Sequence, residues 1–344
     1  MDFEAMNVSI GYIRNTTSLT PFAKSPRNHC LSMPEDFEFL YVLVPIFYII
    51  IFIVGILGNM IIVIGLTCLL QSKSIANIYI VNLAIADLSF VATLPLWAVS
   101  MAAKYQWTFG SFMCKFCATM SSVNMYSSIF LLTCLSIDRY FGIVHPMKSL
   151  NWRTQAKAKI ATFIVWISAC ATSFPTMYFR QTYYSKKHQI ITCAMKYPKH
   201  GVFWPNFVDL MKNIFGFVIP FIVQGVCYCL IYKNMLASRK NRVKKSRSDK
   251  VLKVVLAMVF AFLVCWLPFQ IASFLKVLIR MHWIRDCKAA EIINAVMPVT
   301  VCIAFSNSCV NPILYFFASK RFRNQLAIAL RKALSQSYST TRTR

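Results

Sequence analysis

An all-α fold, a bundle of seven membrane-spanning helices followed by a short amphipathic eighth, is the architecture this sequence predicts. Three observations point to it. First, 58% of the 344 residues are hydrophobic and only 14% are charged, too apolar for a water-soluble chain of this size. Second, the apolar residues fall into seven blocks, near 41–68, 78–102, 111–137, 157–179, 203–232, 251–279 and 289–317. Each holds roughly 20 or more mostly apolar residues, enough for a helix to cross a hydrocarbon core of about 30 Å. Third, no alternating ten-residue pattern suggests a transmembrane barrel, whereas a helix in lipid pairs every backbone polar group within its own segment.

Taken in chain order, residues 1–38 are polar and carry two glycosylation sequons, Asn7-Val-Ser and Asn15-Thr-Thr, which suit an extracellular segment. No cleavable signal peptide is visible, because the first apolar block is too long and too late for one; span 1 is expected to act as a signal anchor. Basic residues set the orientation. Of the 37 Lys and Arg, 22 fall at Lys73, in 139–159, in 233–253 and in 320–344, and such residues concentrate on the cytoplasmic side. Eight of the eleven acids fall in the complementary pieces. The expected organisation is an extracellular segment 1–38, a seven-span bundle 39–317, an amphipathic helix 318–334 and a cytoplasmic tail 335–344, in a multi-pass plasma-membrane protein. In the amphipathic helix, Phe322, Leu326, Ala329 and Leu330 recur at helical spacing between basic residues, as in helices that lie on a membrane surface. The net charge of +26 does not require nucleic acid; a positive-inside distribution with an anionic-lipid face accounts for it. Of the thirteen cysteines, nine lie inside spans. The four outside, Cys30, Cys114, Cys193 and Cys287, allow three pairings.

Polar residues inside the spans mark candidate sites, because an ionisable side chain facing lipid costs several kcal/mol. Asp87 in "NLAIADLSF" is the deepest acid, and Asn59, Asn124, Ser128, Asn307 and Asn311 could surround it. Carboxylate, amide and hydroxyl oxygens suit a small hard cation such as Na⁺; a hydrogen-bonded cluster with water is the simpler alternative. "SIDRYFGIVHP" places Asp138 beside Arg139 at the end of the third span. There a carboxylate can hold a guanidinium until a partner takes it away, or the arginine can simply snorkel. Pro268 in "CWLPFQ" and Pro312 in "SNSCVNPILY" each remove a backbone hydrogen bond within a span; they could be hinges or merely be accommodated. Lys212 in "DLMKNIFGFVIPF" lies two turns, about 11 Å, before Pro220. That depth is a long reach for snorkelling, and a ligand carboxylate is the alternative partner.

Gly58-Asn59, "NLAIAD", Trp107 with Phe109-Gly110, Cys114, Asp138-Arg139-Tyr140, Trp166, Pro220 with Tyr228, "CWLP" and "NPILY" stand in this order on the seven spans. The set resembles rhodopsin-like G-protein-coupled receptors over about residues 40–330. Within that class, "ATLPLWAV", "SSIFLLTCLSIDRYFGIVHPMKS", "DLMKNIFGF" and "IRDC" most resemble angiotensin receptors, with bradykinin receptors next. The resemblance implies a receptor for a short peptide hormone, angiotensin-type first and bradykinin-like as the alternative, that activates heterotrimeric G proteins. Receptor kinase and arrestin would act on Ser and Thr of "SQSYSTTRTR". It also implies disulfides Cys114–Cys193 and Cys30–Cys287; the palmitoyl anchor common in the class is not expected here, since no cysteine follows the amphipathic helix. Arg139 would pair with Asp138 at rest and turn toward the G protein when active. Tyr140 completes that motif, Tyr228 and Tyr315 would support the active position, Pro268 and Pro312 would flex, and Trp266 would relay the ligand's push. Asp87, Asn124, Ser128, Asn307 and Asn311 match the family's sodium site, with Na⁺ as an allosteric ion and no other cofactor. Lys212 and Arg180 match residues that hold the peptide's C-terminal carboxylate, a suitable cage of ammonium and bidentate guanidinium. Trp97, Tyr48, Trp266, Gln270 and Met297 complete the expected pocket.

Two departures stand out. Angiotensin and bradykinin receptors carry acids on the sixth and seventh spans that attract an arginine near the peptide's N-terminus; Lys276 and Asn294 stand in those places here. Glu291 lies one turn earlier and does not match. Lys276, Arg280, Arg285 and Lys288 make the expected pocket mouth basic, which suits a ligand with acidic character. Rival classes find less support. The five histidines form no HExxH pair and no nucleophile–base pair is apparent, as an enzyme would need. A membrane transporter is a remote alternative, but no repeated halves with interrupted helices are visible.

Overall fold

The computed structural model describes residues 38–69, 74–149, 153–186, 189–198, 201–237, 246–318, 322–329 and 331. Asn7, Asn15, Cys30 and the Ser and Thr of the tail lie outside them. Among the described residues, seven helices are long and apolar enough to cross a membrane: α1 Leu40–Cys68, α2 Ile75–Ala102, α3 Gly110–Val144, α4 Gln155–Phe179, α5 Phe203–Ala237, α6 Leu252–Arg280 and α7 Cys287–Phe317. Each coincides with one predicted block. The seventh helix continues through Ala318, one residue into the segment the sequence assigned to the amphipathic helix. Residues 322–329, here α8, are helical.

The helices expose apolar side chains on their outer faces, unlike those of a soluble bundle, and bury polar ones such as Asn59 among an apolar core. In α1 the buried positions Leu40, Val44, Tyr48, Ile51, Gly55, Asn59 and Ile62 recur every three to four residues, so a single face turns inward. Ile46, Ile50, Ile53 and Leu57 on the outer face are exposed. Outward apolar side chains of this kind are stable only against lipid. At 35 residues and 1.5 Å per residue, α3 is roughly 50 Å long, longer than the hydrocarbon core. It occupies the centre, touching α2, α4, α5 and α6. Glycines allow the closest crossings: a Cβ at Gly58 would stand 2.8 Å from Cγ of Pro312, and one at Gly216 would stand 2.9 Å from Cε of Met125. Trp166 Nε1 donates to Asn82 Oδ1 at 3.0 Å, tying α4 to α2.

Two helices change pitch. α1 ends in a π-helical turn at Gly65–Leu69, and α5 contains another at Ile214–Val218. The second has a local cause. Pro220 has no N–H to give the carbonyl of Gly216, and its ring crowds that turn. Widening the turn relieves both, and it sits directly after Lys212.

One short sheet accompanies the expected all-α bundle. Between α4 and α5 the chain forms an antiparallel hairpin, β1 Arg180–Ser185 and β2 Ile190–Met195, with Arg180 opposite Met195 and Ser185 opposite Ile190. The Cys114–Cys193 disulfide fixes it to the start of α3, and the Trp107 N–H donates to the Ile191 carbonyl at 2.8 Å. Trp107 itself is buried, and its indole N–H donates to the Gly110 carbonyl at 2.8 Å. Gly110 has φ of +78°, a region that favours glycine. Cys287 is also disulfide-bonded; the predicted Cys30 partner lies outside the described residues.

Candidate ligand cavity and switch residues

At the disulfide end, two adjoining cavities open within the bundle. The first, about 630 Å³, is lined by Trp97, Met125, Arg180, Lys212, Trp266 and Phe305 among others. The second, about 600 Å³, is lined by Tyr48, Trp97, Tyr105, Arg180, Lys276 and Met297 among others. Arg180, Trp97 and Val301 border both. Arg180 begins β1, so the hairpin delivers it. Its Nη2 donates to the Cys193 carbonyl at 2.8 Å, and its guanidinium lies 5.3 Å from the centre of the Trp97 ring. The disulfide-bonded strand and the indole thus set the orientation of this cation. Lys212, half-buried, faces the first cavity, as the π-turn below it dictates. The indole N–H groups of Trp97 and Trp266 are buried and make no hydrogen bond, so both can donate to a ligand acceptor.

Not every expected pocket residue reaches the space. Gln270 is buried one layer back, its Nε2 3.9 Å from the Met125 sulfur. Arg280, expected as part of a basic mouth, forms an ion pair with Asp209 of α5, and both side chains are largely buried. Its charge is therefore neutralised within the wall. Arg285 and Lys288 are exposed, whereas Lys276 is buried and lines the second cavity.

Midway through the bundle, fully buried Asp87 accepts three hydrogen bonds. Asn124 Nδ2 and Ser308 Oγ donate to Oδ1 at 2.8 and 2.7 Å, and Asn311 Nδ2 donates to Oδ2 at 3.0 Å. Ser308 went unnoticed in the sequence, although it stands three residues before Asn311 and so shares its helix face. Asn59 instead donates to the carbonyls of Gly55 and Ser308, both at 2.9 Å. Ser128 Oγ, Asn307 Oδ1 and Asn311 Oδ1 are buried with no hydrogen-bond partner. Carboxylate, hydroxyl and amide oxygens are the donor chemistry that suits a small hard cation.

At the opposite end, Asp138 and Arg139 form the expected ion pair. Asp138 has a further partner that the sequence did not reveal. Arg153, just before α4, donates through Nε and Nη2 to its two oxygens at 2.8 and 3.1 Å. Gly142 makes the space, since a Cβ there would lie 2.6 Å from Nη1 of Arg153. No local pattern marks Arg153; a turn of chain at Pro146–Ser149 brings it back to α3. Three of the other residues expected to form a switch, Tyr228, Tyr140 and Tyr315, have partners. Tyr228 and Ser136 share a hydrogen bond at 2.9 Å, Tyr140 and His145 share one at 3.1 Å, and the Tyr315 ring packs 5.3 Å from Phe322 of α8. Pro268 lies inside α6 and Pro312 inside α7.

Seven spans around a cavity at one end and an arginine–carboxylate latch at the other describe a receptor. The sequence matches the family described as "7 transmembrane receptor (rhodopsin family)" over residues 58–315, and the chain belongs to that family; it is a receptor and not an enzyme. Curated relatives include the "Type-1 angiotensin II receptor" of Canis lupus familiaris, 42% identical over 309 residues that cover 89% of this chain and 86% of that receptor. The receptor of the same name from Homo sapiens is 41% identical with the same coverage. The "Type-1 angiotensin II receptor B" of Rattus norvegicus is 43% identical over 286 residues, 83% of this chain and 80% of that receptor.

Proposed function

We propose that this receptor binds a short angiotensin-type peptide in the paired cavities, with its disulfide end and N-terminal segment outside the cell, and activates heterotrimeric G proteins through the Arg139 end. The observation that carries the proposal is that Lys212 and Arg180 both line the first cavity. A peptide's terminal carboxylate is the anion that such a pair receives best. The names of the relatives support the same ligand class. A peptide seated there meets Trp266 at the cavity floor, and pressure on α6 near Pro268 favours release of Arg139 from Asp138. In the bundle centre, Asp87, Ser128, Asn307 and Asn311 would hold Na⁺, which would supply a positive charge favouring the resting arrangement. Receptor kinase and arrestin are the further partners, acting on the cytoplasmic tail.

The test uses one peptide made as free acid and as C-terminal amide. In Lys212→Gln, affinity for the acid should fall about 10- to 100-fold, the range of hydrogen bonds to charged groups, while the amide is spared. Equal loss for both forms would rule out the carboxylate contact. Ligand-dependent nucleotide exchange on a purified G protein tests the signalling half.

A further inference from the structure

We infer that Arg280 is a positioning residue for the peptide anchor: by holding Asp209, it keeps that carboxylate off Lys212 and leaves the ammonium group to the ligand. The inference rests on the carboxylate reading of Lys212 above and names the residue that keeps that contact open.

The spacing of the charges creates the need. Asp209 and Lys212 both lie in the regular α-helical start of α5, which runs from Phe203 to Asn213. Residues three apart on such a helix are neighbours, with Cβ atoms about 5–6 Å apart, and opposite charges at that spacing attract. An acid so placed is an internal rival to any ligand carboxylate. Yet Lys212 makes no ion pair with it or with any other acid among the described residues, and lines the first cavity instead.

The rival is occupied elsewhere. Arg280, at the end of α6, pairs with the Asp209 carboxylate, and the two side chains are only 8% and 11% exposed. Arg280 is itself aimed: its Nε donates to the Lys276 carbonyl one turn back at 3.2 Å, while Nη2 donates to Asp209. Within α5, Asn213 Nδ2 donates to the Asp209 backbone carbonyl at 2.9 Å and not to its carboxylate. The ion pair therefore sets where the acid points. A carboxylate this buried is costly to leave unpaired. Deprived of Arg280, it turns to the cation on its own helix, Lys212. The other nearby cation, Lys276, is itself engaged.

The experiment measures binding of one angiotensin-type peptide, as free acid and as C-terminal amide, to membranes carrying the full chain, with cell-surface amounts measured to confirm folding. Arg280→Gln should cut the preference for acid over amide by about tenfold, the weight of one hydrogen bond to a charged group, with Lys212 still present. Adding Asp209→Asn to Arg280→Gln should restore the preference, which a merely structural role for Arg280 would not do. If Arg280→Gln does not reach the surface, Arg280→Lys replaces it. A single ammonium lacks the guanidinium fork, so the preference should fall part way and return with Asp209→Asn. A preference that Lys212→Gln removes but the Arg280 variant leaves unchanged overturns this inference alone, as does a loss that Asp209→Asn fails to reverse. No acid preference in the unmodified receptor overturns the carboxylate anchor and this inference with it.

Discussion

A single side chain here often serves two neighbours, and Asp138 is the clearest case. Its carboxylate is shared between Arg139 and Arg153. Each guanidinium weakens the other's hold, and when Arg139 leaves, Arg153 keeps the buried anion paired. The release of Arg139 therefore costs less than it would from a simple pair, since stranding a buried charge is the expensive step. Arg153→Gln should tighten the resting latch and lower both basal exchange and agonist potency, by about three- to tenfold given the partial exposure of Arg153. Gly142→Ala, which crowds Arg153 without touching Asp138, should act in the same direction. Higher basal activity in both variants would reverse the assignment. At this scale the sequence was uneven as a guide. Asp87 with Asn124 and Asn311 was legible because motif residues converge there, whereas Ser128 and Asn307 do not hydrogen-bond to that carboxylate. Arg153 was not legible, because fifteen residues and a turn separate it from its partner.

Among the elements, α5 illustrates why a span can be read while its azimuth cannot. Hydropathy placed this span near 203–232, inside the helix Phe203–Ala237. Counting 3.6 residues per turn back from Pro220 would misplace Lys212, because the wide turn at Ile214–Val218 inserts about one residue, roughly 100° of rotation. The bulge, not the regular helix, aims the ammonium group at the cavity. Pro220→Ala restores an N–H and favours an unbroken helix. The expected result is a loss of preference for free-acid over amidated peptide, as in Lys212→Gln, with Lys212 still present. An unchanged acid-to-amide ratio would mean that the wide turn is maintained by its contact with Met125 instead. The hairpin was missed for a related reason. Runs such as Thr-Tyr-Tyr and Ile-Ile-Thr have strand propensity, but two short strands joined over a bundle only become visible once Cys193 is fixed to Cys114.

For the molecule as a whole, the hairpin and its disulfide act as a clasp over the cavities. Arg180 owes its position to Cys193, so the ligand site and the covalent link are one construction. The link spans 79 residues; loop entropy alone would give it about 4.5 kcal/mol, an upper figure for a chain already constrained by a bilayer. Cys193→Ser should therefore abolish high-affinity peptide binding even where the bundle still inserts, which surface labelling and ligand binding measured together would separate. Retained affinity would show that Trp97 alone suffices to orient Arg180. The seven-span architecture was the most legible feature of all, because the bilayer requires long apolar helices whatever the details of packing.

The far end of the chain carries a consequence for the latch. Phe322 of α8 is keyed into the first helix, its ring 2.4 Å from where a Cβ at Gly65 would stand, and the same ring braces Tyr315. The segment after the seventh helix is thus packed against both the first helix and the seventh. A shift of α8 has a direct path to Tyr315 that bypasses the ligand cavity, so whatever displaces α8 bears on the seventh helix without a bound peptide.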